Sequence, residues 1–118
     1  MSAQDTAQDT AQDTAQGGEA TGLVPLEWAV TLAVTVSGWL FRTGLYPRVG
    51  VERHGDTVVI DTGTGRWLNL VCNREAVETE AVYDDACGLR RVPQGRASSL
   101  DELTGIVAQW AYQMGVSA

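Results

Sequence analysis

Asp61-Thr62-Gly63 is the stretch of this chain whose residue types and spacing are most able to do chemistry. A carboxylate held ahead of a glycine turn, between two β-favouring runs, can serve as a base toward water if a second carboxylate shares its proton. The same three residues also make an ordinary hairpin turn, with Asp bonding its own backbone and Gly taking positive φ. The turn is the preferred reading, and Asp61 is kept as the one catalytic candidate. His54 is the only histidine, and with Cys72 or Cys87 it would supply the parts of a Cys–His nucleophilic pair. It sits between Arg53 and Gly55 in a turn, where a solvated ring is the expectation. A metal site would need His54, both cysteines and Asp84 or Asp85 to converge, and no ligand spacing supports that, so no metal is expected. Gly63-Thr64-Gly65 joins two strands and has no following Lys, unlike a phosphate loop, so no cofactor is expected either.

The neighbourhood of the motif carries a family resemblance. Pro47-Arg48-Val49-Gly50-Val51, a glycine turn, then Val58-Val59-Ile60 ahead of Asp61-Thr62-Gly63 resembles the active-site segment of retroviral-type aspartic proteases. The resemblance implies a dimer in which each copy contributes one Asp61 to a shared site. It covers about 25 residues. The glycine-rich flap of that family has no counterpart here. Nor does its late pair of apolar residues followed by Gly: Gly105-Ile106-Val107 has the order reversed.

The elements that would position these residues are legible from alternation. Arg48–Arg53, Thr57–Thr62 and Arg66–Asn73 are three β-favouring runs parted by His54-Gly55-Asp56 and Gly63-Thr64-Gly65, which is the pattern of an antiparallel meander. Period two puts Val49, Val51, Val58, Ile60, Leu68, Leu70 and Cys72 on one face. The other face collects Glu52, Val59, Asp61, Trp67, Asn69 and Val71. Val59, Trp67 and Val71 make that second face too apolar for open water, so they are the candidate partner-binding residues. A covering helix or another molecule is expected over them.

Glu80–Tyr83 and Gly88–Val92 read as a fourth and a fifth strand, with Pro93-Gln94-Gly95 ending the sheet. The final element is an amphipathic helix over Leu100–Met114. Ser99 and Glu102 make its capping box, Leu103, Ile106, Val107, Trp110 and Met114 form one stripe, and Gly115 closes it.

Leu23–Phe41 admits three readings: a buried helix from about Leu26 to Thr43, a strand, or a membrane span with Arg42, Arg48 and Arg53 on its cytoplasmic side. The charge-free part, Trp28–Phe41, is about 14 residues and roughly 21 Å as a helix, short of a ~30 Å hydrocarbon core. The buried helix is preferred and a membrane anchor through residues 23–41 is the second reading. Ahead of it, residues 3–16 repeat Ala-Gln-Asp-Thr. A helix there would stack Asp5, Asp9 and Asp13, with no large apolar side chain to offset ordering. Residues 1–22 are therefore expected to form a disordered acidic tail, and residues 23–118 a single domain.

Composition narrows the function classes. The net charge is −7 and all 8 basic residues are Arg. Acid excess repels nucleic-acid phosphate, so nucleic acid is not an expected partner. An acidic chain without Lys is the habit of proteins from high-salt or GC-rich organisms. Two cysteines without CxxC spacing are each expected to be small buried apolar residues, reduced in the cytoplasm.

The predicted class is α+β, a two-layer sandwich of N-terminal helix, antiparallel sheet of four to five strands and C-terminal helix. This order resembles, at the level of topology, YbjN-like proteins and type III secretion chaperones. The resemblance implies a non-enzymatic domain that forms homodimers and binds segments of other proteins.

Overall fold

A computed structural model describes residues 24–117, with side chains described to residue 115; the expected acidic tail at 1–22 lies outside the described residues. The elements are α1 (Pro25–Arg42), β1 (Gly50–His54), β2 (Thr57–Asp61), β3 (Arg66–Cys72), β4 (Val77–Asp85), β5 (Gly88–Ala97) and α2 (Leu100–Ser117). The strands form one antiparallel sheet in the order β1-β2-β3-β4-β5. Both helices pack on the same face of it, so the molecule has the expected two α+β layers.

Register decides which face that is. Val58 pairs with Leu70 and Ile60 with Leu68, and Leu68 in turn pairs with Ala81. All five are fully buried. Ala29, Ala33 and Leu40 of α1 and Leu103, Val107, Trp110 and Met114 of α2 close over them. The two alanines let the α1 backbone approach the sheet closely, which a row of longer side chains would prevent.

α1 starts where Pro25 fixes φ at no hydrogen-bond cost. The Glu27 carboxylate accepts a bond from the Val24 backbone N–H at 3.0 Å. The hydroxyls that dilute this segment are absorbed by the helix itself. Thr35 Oγ1 donates to the Thr31 carbonyl at 2.9 Å and Ser37 Oγ to the Val34 carbonyl at 3.0 Å. Beyond its end, Gly44 takes φ +80°, which turns the chain toward β1. Tyr46, buried in that connection, donates its phenol to the Met114 carbonyl at 2.6 Å and ties the loop to the end of α2. Among the described residues no helix is long and apolar enough to cross a membrane.

Three boundaries differ from expectation for physical reasons. β4 and β5 are longer than read, and Pro93-Gln94-Gly95 lies inside β5. There the register steps from Thr79↔Gly95 to Glu80↔Pro93, so Gln94 is the extra residue of a bulge. β5 is an edge strand, where Pro costs no ladder bond, and Thr79 Oγ1 secures the bulge by donating to the Gly95 carbonyl at 2.6 Å.

Gly115 does not close α2, which continues to Ser117. Its role is close contact: a Cβ there would stand 2.7 Å from the Trp39 indole of α1. At the start of α2, Ser99 Oγ accepts from Glu102 N at 3.1 Å, while the Glu102 carboxylate reaches back to Ser98 N at 2.7 Å.

Trp110 is the largest fully buried side chain, and its indole N–H has no hydrogen-bond partner among the described residues. Trp110→Ala is expected to lower unfolding free energy by about 3–5 kcal/mol. Trp110→Phe should cost less than half as much, because it also removes a buried unpaired donor worth ~1–3 kcal/mol. Urea titration of the three proteins measures both differences.

Candidate interaction surface on the outer sheet face

The face of the sheet turned away from the helices carries Val59, Trp67 and Val71, as alternation requires. Val59 pairs with Glu52 and Asn69, Trp67 with Asp61 and Val82, and Val71 with Thr57 and Glu78. Among the described residues no helix covers this face, since α1 and α2 both lie on the opposite one. Val59 and Trp67 are half-buried by their neighbours and Val71 is 44% exposed.

β4 and β5 add a second layer of information. Val82, between Trp67 and Arg91 in the register, is fully buried on this face. Around it runs a lattice of charge: Arg91 pairs with Glu80 at 2.8 Å and Arg96 with Glu78 at 2.6 Å. Asn69 Nδ2 also donates to Glu80, at 3.4 Å. Exposed pairs of this kind contribute ~0–1 kcal/mol each. Their effect on the surface is larger than their effect on stability, because they frame the apolar residues with polar groups.

A shallow concavity of about 310 Å³ opens on this face, lined by Glu52, His54, Val59, Asp61 and Trp67. It brings two of the three apolar candidates together with Asp61 and the single histidine. Val71 lies outside it, toward the Glu78–Arg96 pair. His54 ends β1 with its ring exposed and Nε2 3.0 Å from Glu52 Oε1.

Asp61 is hydrogen-bonded within its own turn. Asp61 Oδ1 accepts from Gly63 N at 2.8 Å. Thr62 is buried, donating Oγ1 to the Arg66 carbonyl at 2.6 Å, with Thr64 Oγ1 at 2.7 Å. Gly63 takes φ +80°, and a Cβ there would meet Arg48 Cβ at 2.7 Å. Each residue of the Asp-Thr-Gly motif thus has a local structural task.

The cysteines separate. Cys72 is buried on the inner face, opposite to the face bearing His54, and Cys87 is exposed in the β4–β5 hairpin. The expectation of two buried thiols is corrected for Cys87, whose backbone N–H donates to Asp85 Oδ1 at 2.9 Å in the turn. No group of three or more His, Cys, Asp or Glu able to hold a metal occurs among the described residues. Burial pushes the Cys72 thiol above its ordinary value, the Asp56 carboxylate adds to this, and Arg53 opposes it.

Sequence reasoning missed Val82. Ala81-Val82-Tyr83 shows no apolar–polar alternation, so the face of Val82 follows only from its pairing with Trp67. It also missed the two Glu–Arg pairs, which depend on the register across the bulge. Compared with known proteins, the chain matches no family model, no curated protein and no solved structure.

Two outcomes test this description. Gly63→Ala is expected to destabilise by more than ~1 kcal/mol, through positive φ and contact with Arg48, while Asp61→Asn, which keeps the turn acceptor, changes stability by less than ~0.5 kcal/mol. Thermal and urea unfolding compare the two.

For Cys72, the folded thiol keeps its proton to higher pH than the unfolded one. Its contribution to stability is therefore complete below the ordinary thiol range and declines as pH rises through it. Urea unfolding from pH 7 to 10 should show that decline, and Cys72→Ala should flatten it. A thiol reagent at pH 8 should modify Cys87 at once and Cys72 only on unfolding.

Proposed function

We propose that this chain is a non-enzymatic protein-interaction domain of the adaptor kind, one that self-associates and docks a further protein on its outer sheet face. The observation that carries the reading is the placement of both helices on one side of the sheet. Among the described residues no element lies over Val59, Trp67 and Val71.

Aromatic anchors flanked by framed polar groups are the usual composition of a contact surface, with a Trp at its centre and charge at its rim. Here Trp67 is the anchor, Val59 and Val71 extend it, and Glu52, Glu78, Glu80, Arg91 and Arg96 form the rim. The rim mixes both signs, so it would orient a partner through several short polar contacts instead of attracting it by net charge.

A photo-crosslinking amino acid in place of Val71, in the full chain expressed in cells, tests the docking. A discrete adduct with a second protein, lost on adding Trp67→Glu, is the expected result. Adducts that persist unchanged with Trp67→Glu, or no adduct above that of a control placed on exposed Thr104, would sink the sheet-face assignment.

A further inference from the structure

α1 has three differently constituted sides. Ala29, Ala33 and Leu40 face the sheet, and Trp39 turns toward α2, where it lies against Gly115. The third side carries Glu27, Val30, Val34, Gly38, Phe41 and Arg42, which fall within about 120° of arc at 3.6 residues per turn. Val34 and Phe41 are each 58% exposed and Val30 is 36% exposed. More large apolar surface is bare on this helix than on the outer sheet face, where Val71 alone among the three candidates is substantially exposed.

The charges at the two ends of this stripe are ordered. Glu27 stands in the first turn and Arg42 in the last, roughly 22 Å apart along the axis at ~1.5 Å per residue. Neither makes an ion pair among the described residues. The Arg42 guanidinium lies back along the helix over Gly38, where a Cβ would stand 3.4 Å from its Nη1.

A stripe that reads acid, apolar, base is self-complementary in one orientation only. Laid antiparallel on its own copy about a twofold axis, each Glu27 meets the other copy's Arg42. The axis then passes midway between the two charges, beside Val34. Phe41 of each copy then stands about two residues, ~3 Å, from the level of Val30 of the other. A parallel arrangement would instead set Glu27 on Glu27 and Arg42 on Arg42.

We infer that α1 is the self-association surface of this protein, a second copy docking antiparallel along Val30, Val34 and Phe41 with reciprocal Glu27–Arg42 pairs. The inference rests on the self-association part of the proposed function and gives it a location distinct from the sheet face. The resulting twofold interface is closed, so it yields a dimer and leaves both outer sheet faces free.

Sedimentation velocity on the full chain tests it, with circular dichroism checking that each variant remains folded. The wild-type protein should be a dimer. Val34→Glu, which sets two like charges beside the axis, should raise the dimer dissociation constant at least tenfold. Arg42→Glu should weaken the dimer, and the double exchange Glu27→Arg with Arg42→Glu should restore it.

As an independent measure, Val34→Cys in a Cys87→Ser background should form a disulfide-linked dimer on mild oxidation, while Val71→Cys in that background should not. A monomeric wild type would overturn both this interface and self-association, leaving docking on the sheet to its own test. A dimer untouched by Val34→Glu, and above all one broken by Trp67→Glu, would overturn the α1 assignment alone.

Discussion

The pairing of β2 with β3 is the constraint on which the other elements depend. Val58 opposite Leu70 and Ile60 opposite Leu68 place four large aliphatic side chains on one surface, all fully buried. At ~1.5–3 kcal/mol for each such side chain, their burial is comparable to the ~5–15 kcal/mol net stability of a small domain. A slip of either strand by one residue would turn its two to the other side, so the register has little freedom. Once it is set, both helices have one place to go. Their apolar sides must meet that surface, and α1 and α2 lie side by side across it instead of enclosing the sheet between them.

That arrangement explains which parts of the fold were legible in the sequence. The meander and α2 were readable because each satisfies one period cleanly, alternation in Thr57–Cys72 and a 3–4 spacing from Leu103 to Met114. The difficulties came from residues whose usual meaning is overridden by a neighbour distant in sequence. Pro93 reads as a terminator until it is known that β5 is an edge with a bulge at Gln94. Gly115 reads as a helix stop until the Trp39 ring is found where its side chain would be. Cys87 is exposed because it sits in the short turn between β4 and β5, a position set by strand length that local composition does not encode.

The outer face shows a related limit. Judged from the meander alone, Val59, Trp67 and Val71 make the ribbon apolar on both surfaces. The full sheet is less so, because β4 and β5 contribute Glu78, Glu80, Arg91 and Arg96 to the same side and pair them across the strands. Val82 is submerged among these neighbours while Val71, beside the Glu78–Arg96 pair, stays open. The surface is therefore a small aromatic centre within a polar frame. That composition can remain exposed in a free subunit and still gain from burial against a partner, which a broad apolar sheet could not do without aggregating.

The two surfaces also differ in what they can specify. A helix stripe with one acid, one base and an apolar middle encodes orientation through its charge order and little else, which suits contact with an identical copy. The sheet face has a carboxylate-lined hollow on one side of its aromatic residue and mixed ion pairs on the other, so its two sides differ. Asymmetry of that sort suits a dissimilar partner. The Asp-Thr-Gly turn takes part in this division by shaping the hollow: Gly63 lets the chain pass close to Arg48, and the bond from Gly63 N holds the Asp61 carboxylate at the end of β2. The motif thus fixes one side of a hollow that its cross-strand neighbour Trp67 also lines.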